Sequence, residues 1–447
     1  MPRRDPLNAA VALVLTAVVA LWASAGREAT RPRTAAEWLI SAGRLSGLVA
    51  AALMLVAVLM MARVPWVERF GHDDLTRRHR LVAMWSISLV WVHLVISILG
   101  YARRARTGVA TMIWQLFTTF PGMLLALAAA AALTLVAATS ARWARRRLRY
   151  ESWHLLHLYS YLGAGLAVPH QIWVGGDFVG APVARGFWVG AWVSTAASVL
   201  VFRVVVPLVR TLRHRIRVLD VRAEAPGVVS LTLGGRNLPA LGAQAGQYFV
   251  WRFRDGRGWS RGHPYSLSAM PAPERLRITV KTAGPDSAGL AGLRAGTRVQ
   301  FEGPYGAVTG ARWHGGRLAM FAGGIGITPL LALLQELPWA DGDAVLVYRA
   351  QSEADLVFRD ELLDLELFRG LTVHYLPGPR GGGDTSWLPE DWPVDGGPTV
   401  ALTALVPDLG TRDVFVCGPE AWAGAVCSAL AAAGVPQERV NRERFAW

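Results

Sequence analysis

The sequence predicts a multi-domain membrane protein in which an all-α bundle of six transmembrane helices precedes an antiparallel β-barrel and a doubly wound α/β domain. Hydrophobic residues make up 53% of the 447 residues, and the mean hydropathy of +0.31 is high for a wholly soluble protein. The apolar excess lies in the first half, whereas short strands and glycine turns fill the second half. We therefore expect three domains, over residues 1–210, 211–312 and 313–447.

Six apolar stretches in the first half have about the 20-residue length that a bilayer core requires. They are residues 9–25, 39–61, 81–101, 121–139, 152–174 and 187–207. Six crossings return both ends to one side, which carries most of the flanking arginines: Arg3, Arg4, Arg77, Arg78, Arg80, the cluster 142–149, Arg210, Arg213 and Arg215. The positive-inside rule makes that side cytoplasmic, although Arg103, Arg104 and Arg106 fall in an outer loop. We expect a multi-pass protein of the cell membrane whose N-terminus and C-terminal domains are cytoplasmic.

The charge argues against a nucleic-acid-binding protein, and the cysteines argue against a metal site of the Cys-x-x-Cys type. The net charge of +14 comes almost entirely from arginine, and Lys281 is the only lysine. The basic residues are scattered or lie at membrane edges, so no nucleic-acid partner is expected. The two cysteines, Cys417 and Cys427, form no Cys-x-x-Cys metal pair. The predicted partner is the lipid bilayer, and nothing in the sequence indicates an oligomeric state.

The third apolar stretch carries two histidines, His79 at its entrance and His93 inside it. An ionisable side chain within a membrane helix is costly without a partner, so it indicates a functional site. Fourteen residues of α-helix make about 3.9 turns and a rise of roughly 21 Å. Both imidazoles therefore point the same way at two membrane depths, which suits two stacked hemes.

The fifth apolar stretch provides the matching histidines, which are His154, His157 and His170. His79 shares the inner depth with His154 or His157, and His93 shares the outer depth with His170. Two bis-imidazole sites result, since neutral imidazole is a common heme ligand. The geometry has one weakness, because thirteen residues of ideal helix leave His157 and His170 about 140° apart. Pro169 can help by distorting the helix, and spacing alone does not choose between His154 and His157.

The second half opens with predicted strands at residues 215–222, 228–233, 247–253 and 276–282. Short strands with glycine and proline turns predict a small antiparallel barrel. Within it, residues 261–268 read Arg-Gly-His-Pro-Tyr-Ser-Leu-Ser. An aromatic ring followed by a hydroxyl, as in Tyr265-Ser266, can stack on an isoalloxazine ring and donate a hydrogen bond near its reactive nitrogen. The segment therefore indicates a flavin site.

The last third alternates strands with helices. A buried strand at 317–321 leads into Ala-Gly-Gly-Ile-Gly-Ile-Thr-Pro at 322–329 and an apolar helix to about Leu337. Further strands are predicted at 344–349, 371–375 and 413–417. The glycines let a diphosphate approach the main chain, and the helix N-terminus offers its amides to the anion. This pattern predicts a doubly wound sheet that binds a dinucleotide.

Together these motifs resemble the ferric reductase and NADPH oxidase superfamily, over nearly the whole chain after the first apolar stretch. Thirteen residues separate His79 from His93, and twelve separate His157 from His170. In that family the matching histidines are the axial ligands of two b-type hemes. The resemblance implies that His79 and His157 hold the inner heme, in preference to His154, and that His93 and His170 hold the outer heme.

The barrel resembles the flavin domain of the ferredoxin-reductase family. The match covers His-Pro-Tyr-Ser at 263–266, Lys-Thr-Ala-Gly at 281–284 leading to Ser287, and Gly-Pro-Tyr-Gly at 303–306. The resemblance implies that FAD is bound by Tyr265 and Ser266 at the ring, by His263 and Ser287 towards the diphosphate, and by Pro264, Lys281 and Gly303.

The C-terminal domain resembles the same family at its glycine turn and at Cys417-Gly418-Pro419. The implied NAD(P)H-binding residues are Gly323, Gly324, Gly326, Thr328, Arg349, Cys417, Gly418 and Pro419. The implied catalytic residues are Ser266 at the flavin, Thr328 and Cys417 at the nicotinamide, and Phe445 or Trp447 as the aromatic cover of the flavin. Arg349 suits the 2′-phosphate of NADPH, whereas Glu353 and Asp355 suit the ribose of NADH. NADPH is preferred on this basis.

The expected function is that of an NAD(P)H-dependent ferric reductase or NADPH oxidase-like enzyme. Electrons would pass from cytosolic NAD(P)H through FAD and two b-type hemes to an extracytoplasmic one-electron acceptor. Flavin is needed because nicotinamide gives two electrons and heme accepts one. The acceptor is ferric iron, free or chelated, or dioxygen, and the outer loop at 171–185 does not choose between them. The alternative is a membrane-anchored flavin reductase that acts on a cytosolic partner and has structural histidines.

Overall fold

The computed structural model describes residues 6–24, 32–68, 70, 72–148, 150–176, 181–255, 261–282, 285–381, 387–392 and 397–444. The chain divides into two compact units, Met1–Arg203 and Val204–Trp447. The predicted flavin and nucleotide domains therefore fall in one unit, and the boundary between them stays a prediction.

Helices occupy every apolar stretch predicted in the first half. They are α1 (Pro6–Ser24), α2 (Ala35–Met61), α3 (His72–Ala105), α4 (Val109–Thr119), α5 (Met123–Ser140), α6 (Tyr150–Val174) and α7 (Pro182–Leu200), with single turns at Pro65–Glu68 and Arg142–Arg145. α7 continues through a π-helical turn, Val201–Val205, into α8 (Val206–His214). The short helix α4 has no counterpart among the predicted spans.

Five helical stretches of the described residues are long and apolar enough to cross a membrane. They are Pro6–Ser24, Ala35–Met61, Asp74–Ala105, Met123–Ser140 and Pro182–His214. Five of the six predicted spans are therefore confirmed as helices of sufficient length and apolarity to cross a membrane. The remaining helix, α6, has 25 residues but contains three histidines, Gln171 and Pro169, which lower its apolarity. Its passage through the bilayer stays a prediction.

Glycines let the helices of the first unit approach closely. A Cβ atom on Gly100 of α3 would lie 2.8 Å from Ile40 Cγ1 of α2, and one on Gly163 of α6 would lie 3.0 Å from Leu133 Cγ of α5. Small residues allow this approach, on which membrane helices depend because van der Waals packing replaces the hydrophobic effect between them. α2 thus packs along α3, and α5 along α6.

Two antiparallel sheets open the second unit. Their strands are β1 (Arg217–Ala225), β2 (Val228–Gly234), β3 (Tyr248–Phe253), β4 (His263–Ser266), β5 (Arg275–Lys281) and β6 (Val299–Tyr305), in the orders β1-β2-β5 and β4-β3-β6. Single bridges, from Arg217 to Arg298 and from Leu267 to Ile278, join the two sheets. Phe249, Trp251 and Phe301 fill the core. The predicted antiparallel β domain is confirmed, with β4 and β6 as additional strands.

A parallel five-stranded sheet completes the second unit. Its strands are β7 (Leu318–Gly323), β8 (Ala344–Arg349), β9 (Thr372–Leu376), β10 (Asp413–Gly418) and β11 (Val440–Arg444), in the order β11-β10-β7-β8-β9. Its helices are α9 (Ile327–Glu336), α10 (Arg359–Arg369), α11 (Pro398–Leu405) and α12 (Glu420–Ala432). The strand order reverses at β7, and ligands of such sheets bind at the carboxyl ends of the strands there. The predicted doubly wound domain is confirmed.

Candidate cofactor sites

The inner histidines are brought together by α3 and α6. The ring centroids of His79 and His157 are 6.1 Å apart, with an angle of 64° between the ring planes. His79 Nδ1–H donates to the Ala57 carbonyl oxygen at 2.9 Å, since a carbonyl can only accept. His157 Nδ1 is hydrogen-bonded to Ser140 Oγ at 3.2 Å. Both imidazoles are thus anchored through Nδ1, which leaves Nε2 for a ligand.

The outer histidines are held in a different way. His93 Nδ1–H donates to the Gly43 carbonyl oxygen at 2.7 Å, and a Cβ atom on Gly47 would lie 2.7 Å from the same nitrogen. His170 Nδ1 is buried and has no hydrogen-bond partner among the described residues. Gly122, at φ 82°, packs against the His170 main chain.

These histidines fit a heme better than other metal groups. A metal–imidazole bond is about 2 Å long and the ring centre lies about 1 Å further, so two rings on opposite sides of one metal have centroids roughly 6 Å apart. The separation of His79 and His157 agrees with this value. Across the described ranges, no three His, Cys, Asp or Glu side chains are placed together to hold a metal ion. Paired imidazoles suffice for a heme because the porphyrin supplies the other four ligands.

Ser140 and Trp153 lie next to His157, and this role of Ser140 was not predicted from the sequence. Trp153 Nε1–H donates to Ser140 Oγ at 3.2 Å, and the Trp153 ring lies 5.1 Å from that of His157. The guanidinium group of Arg145 lies over the Trp153 ring, with its carbon 4.7 Å from the ring centre. One feature of the sequence could have identified Ser140: it ends the apolar helix α5, and the histidine-rich helix α6 follows in the chain.

The flavin motif lies on β4, an edge strand of the sheet β4-β3-β6. β4 pairs with β3, where Tyr248 is opposite Ser266 and Trp251 is opposite His263. The rings of His263 and Tyr265 are nearly parallel, at 8°, with centroids 6.0 Å apart. The side chain of Ser266 is buried. The strand thus presents two nearly parallel rings on one face, which is a surface suited to an aromatic cofactor. Pro264 lies between them, opposite Val250.

The other flavin candidates lie at three separate positions. Lys281 ends β5, and its Nζ contacts Asp355 Oδ1 at 2.9 Å. Ser287 lies in the single helical turn Pro285–Ala288. Gly303, in β6, has φ 126° and precedes a cis peptide bond to Pro304. A Cβ atom on Gly303 would lie 2.9 Å from Phe249 Cδ1, so the close approach of β6 to β3 requires glycine.

The predicted glycine turn lies where β7 meets α9. Gly323 ends β7, Gly324 has φ 54°, and Gly326 lies so close to the Cys417 carbonyl that no side chain would fit there. Thr328 is buried, and its Oγ1–H donates to the Ile325 carbonyl oxygen at 3.0 Å. The turn and the start of α9 therefore form a narrow main-chain surface of the kind that admits a diphosphate.

Cys417 and Gly418 end β10, next to the glycine turn. Cβ atoms on Gly418 and Gly323 would each lie 2.7 Å from Trp422 Cε3, so both glycines are required by this packing. Cys417 is fully buried, and burial, followed by the Glu443 carboxylate, raises the pKa of its thiol well above the usual value. Pro419 caps α12. The candidates Phe445 and Trp447 lie outside the described residues.

Arg349 occupies a buried position at the end of β8. Its Nη1–H donates to the Leu376 carbonyl oxygen at 3.1 Å and to the Ala350 carbonyl oxygen, and its Nη2–H donates to the Pro379 carbonyl oxygen at 3.0 Å. Burial lowers the pKa of its guanidinium. The side chain therefore ties β8 to the segment after β9, and its role at a 2′-phosphate stays a prediction.

Two family comparisons identify the two parts of the chain. Residues 46–168 match the family described as "Ferric reductase like transmembrane component", and residues 320–428 match "Oxidoreductase NAD-binding domain". The first range includes His79, His93 and His157, and the second includes the glycine turn and Cys417. The chain therefore combines a multi-pass membrane part of the ferric-reductase-like type with an NAD-binding domain of the oxidoreductase type. The two parts of the chain are thus similar to the membrane component of ferric reductases and to the NAD-binding domain of oxidoreductases.

Curated relatives share only part of the chain. The ferredoxin reductase component of 3-ketosteroid-9-alpha-monooxygenase from Mycolicibacterium smegmatis is 32% identical over 206 residues, which are 45% of this chain and 55% of that protein. The plasma membrane-associated coenzyme Q6 reductase PGA3 from Saccharomyces cerevisiae is 30% identical over 153 residues, which are 32% of this chain and 46% of that protein. The chain thus spans about half the length of these two relatives.

Among solved structures, the Amycolatopsis cytochrome P450 reductase GcoB aligns with a TM-score of 0.42 and 23% identity, over 52% of this chain and 69% of that chain. The ferredoxin NADP+ reductase from Neisseria gonorrhoeae with bound FAD and NADP aligns with a TM-score of 0.40 and 18% identity, over 51% and 97% of the two chains.

Proposed function

We propose that this protein passes electrons from cytosolic NAD(P)H to an extracytoplasmic one-electron acceptor, with FAD and two b-type hemes as resident cofactors. The observation that carries the proposal is the inner histidine pair. His79 and His157 lie on two helices with ring centroids 6.1 Å apart, and each is anchored through Nδ1. A membrane protein has little reason to pair two imidazoles in this way without a ligand between them.

In this proposal the four histidines divide into two heme sites. His79 and His157 hold the inner heme, and His93 and His170 hold the outer heme. The hydrogen bonds from Nδ1 of His79 and His93 to carbonyl oxygens fix the tautomer with Nε2 unprotonated. Such bonds also orient the ring and raise its basicity as a ligand.

The barrel and the parallel sheet bind the two nucleotides. A bound flavin accepts two electrons as hydride and releases them singly, and a b-type heme carries one electron. Tyr265 packs against the flavin ring, and the Ser266 hydroxyl donates a hydrogen bond to it. Main-chain amides of the glycine turn bind the diphosphate of NAD(P)H. The buried Cys417 thiol stays protonated because its pKa is raised, so it acts beside Thr328 as a neutral wall of the nicotinamide pocket.

The acceptor in this proposal is ferric iron, free or chelated, or dioxygen. The cytoplasmic placement of the nucleotide-binding part follows from the arginine distribution in the sequence. The sequence position of Arg349, after the second strand of the parallel sheet, favours NADPH over NADH. In the structure, the guanidinium of Arg349 donates hydrogen bonds to the carbonyl oxygens of Leu376 and Pro379.

A reduced-minus-oxidised visible spectrum of the purified full chain, with heme and flavin contents, tests the proposal. We expect b-type absorption and about two hemes per flavin. A protein without b-type absorption that still reduces its flavin with NAD(P)H would instead be a membrane-anchored flavin reductase with structural histidines. Replacement His93→Leu should remove one heme and leave flavin reduction by NAD(P)H intact, because the nucleotide sites do not involve His93. Loss of both the heme and the reduction of flavin by NAD(P)H would indicate a folding role for His93.

A further inference from the structure

Two cations of one barrel strand contact two carboxylates of the nucleotide-binding domain. Arg277 and Lys281 are four residues apart on β5, so their side chains leave the same face of the strand. Arg277 Nη1 and Nη2 contact Glu361 Oε1 and Oε2 at 2.6 and 2.9 Å, and Lys281 Nζ contacts Asp355 Oδ1 at 2.9 Å. Asp355 lies between β8 and α10, and Glu361 lies in the first turn of α10. The two ion pairs therefore hold this segment against the barrel.

The Arg277 pair has the features of a permanent contact. It is bidentate, which is the strongest geometry for a guanidinium and a carboxylate. Arg277 Nη2 also donates to the Ser268 carbonyl oxygen at 2.6 Å, and the guanidinium carbon lies 4.9 Å from the centre of the Phe358 ring. Gln335 Nε2 donates to Glu361 Oε2 at 2.9 Å. Each partner is thus fixed by neighbours as well as by the other.

The Lys281 pair has the features of an exchangeable contact. The side chains of Lys281 and Asp355 are 44% and 27% exposed, and one nitrogen meets one oxygen. Exposed single pairs contribute little to stability, so another anion can replace the carboxylate. Ser352 Oγ donates to Asp355 Oδ2 at 2.8 Å, which keeps Asp355 in place when Lys281 leaves. The hydrogen bond from Lys281 lowers the pKa of Asp355, so Asp355 is charged at neutral pH.

Lys281 ends β5, the strand that contacts the glycine turn where nucleotide phosphates are expected. It pairs with Val228 of β2, which is buried in the same cluster as Ile327 at the start of α9. β5 also contacts the glycine turn Gly324–Gly326. Asp355 follows the carboxyl end of β8, at the edge of the sheet where dinucleotides bind. An anionic ligand at this edge therefore competes with Asp355 for the same ammonium group.

We propose that Asp355 is an internal competitor of the nucleotide: it holds the Lys281 ammonium in the ligand-free protein, and a phosphate group of NAD(P)H displaces it while the Arg277–Glu361 pair keeps the barrel and the sheet docked. This inference rests on the binding of NAD(P)H at the carboxyl edge of the sheet, and it assigns Lys281 to a phosphate of NAD(P)H instead of the FAD that the resemblance implied. It assigns Asp355 a role in setting affinity and excludes it as a ligand of the ribose.

Anaerobic flavin reduction in the full chain tests this proposal. Asp355→Asn should lower the KM for NADPH about two- to fivefold, the range in which exposed ion pairs fall, and leave kcat unchanged. Asp364→Asn removes the same charge from an exposed position of α10 and should leave KM unchanged. An unchanged or raised KM in Asp355→Asn would overturn the proposal, because Asp355 would then be indifferent to the nucleotide or would bind it.

Because Lys281 is the only lysine, an amine-specific reagent reports on it directly by peptide mass spectrometry. Without nucleotide, Lys281 should be modified faster in Asp355→Asn than in the unaltered protein, and NADP+ should protect it in both. Absence of protection by NADP+ would also overturn the proposal. Failure of the proposed function itself is distinguishable, since the unaltered protein would then not reduce its flavin with NAD(P)H.

Discussion

At the scale of single residues, the choice between His154 and His157 as inner ligand is open to a direct test. The ring of His157 lies beside that of His79, and its Nδ1 is hydrogen-bonded to Ser140. His157→Leu should therefore lower the heme content from about two to about one per flavin, and His154→Leu should keep both hemes. Heme and flavin assays on the two purified variants measure this. Loss of a heme from the His154 variant alone would reverse the assignment.

Gly47 provides a second test, through the packing around His93. A Cβ atom at Gly47 would lie 2.7 Å from His93 Nδ1, whereas one at Gly165 would have nothing within 4 Å. Gly47→Val should therefore displace the His93 ring and lose the outer heme or shift its midpoint potential. Gly165→Val, the same change in another helix of the unit, should leave both hemes as they are. A redox titration followed by visible absorption compares the variants, and identical titrations would contradict the prediction.

The thiol of Cys417 gives a third test, with a pH dependence of known sign. Only the thiolate reacts with alkylating reagents, and a raised pKa lowers the thiolate fraction at any given pH. Cys417 should therefore resist iodoacetamide at pH 8 in the folded protein and react after denaturation. Peptide mass spectrometry quantifies the modification. Rapid alkylation in the folded state would mean that the thiol is neither buried nor protonated.

The candidate residues show how far sequence reasoning reaches at this scale. The motif at 263–266 and the glycine turn were found because short-range patterns define them. Arg349 was expected to face a phosphate, but the acceptors that surround it come from the segment around Leu376 and Pro379, which only the folded sheet brings near. The contact of Ser140 with His157 and the contact of Asp355 with Lys281 were not predicted for the same reason, because each joins residues that are distant in sequence.

At the scale of elements, the Arg277–Glu361 pair between barrel and sheet should contribute more to stability than an exposed pair. Glu361→Gln removes a partly buried, bidentate, charge-assisted contact and should cost roughly 1.5–3 kcal/mol. Glu353→Gln removes the exposed pair with Arg359 and should cost about 0–1 kcal/mol. Thermal unfolding followed by release of FAD fluorescence ranks the two variants. Equal shifts would show that burial does not strengthen the first pair.

Periodicity predicted most strands and helices, and its failures have specific causes. β4 and β6 were missed as strands because each contains a proline, at 264 and 304, and proline argues against a strand interior. In the barrel both strands pair with β3, and tertiary pairing outweighs that local preference. The helix α4 was missed because its 11 residues are too few for a membrane span and lie between two longer apolar stretches.

At the scale of the whole molecule, the arginine distribution predicts that the nucleotide-binding part is cytoplasmic. In sealed inside-out vesicles, added NADPH should therefore be oxidised without detergent, and in right-side-out vesicles it should be oxidised only after permeabilisation. The rate of NADPH absorbance loss measures this, with a cytoplasmic marker enzyme as the control for sidedness. The opposite pattern would invert the topology.

The order of domains was predictable because each has its own composition. The apolar half, the strands with glycine turns and the alternating last third follow one another without overlap. The number of membrane crossings was less certain, since α6 combines a helical length with polar histidines. Those same histidines carry the proposed chemistry, so the weakest transmembrane signal falls on the most functional helix.

The two hydrogen bonds from α3 to α2 have a consequence for how this chain can change during evolution. The accepting carbonyls belong to Gly43 and Ala57, which are separated by the same fourteen positions as His93 and His79. Main-chain oxygens are present whatever the side chain, so substitutions within α2 leave both bonds possible. One inserted or deleted residue between the two carbonyls would turn one of them about 100° away from its imidazole. Related chains are therefore expected to vary in this helix by replacement and not by length.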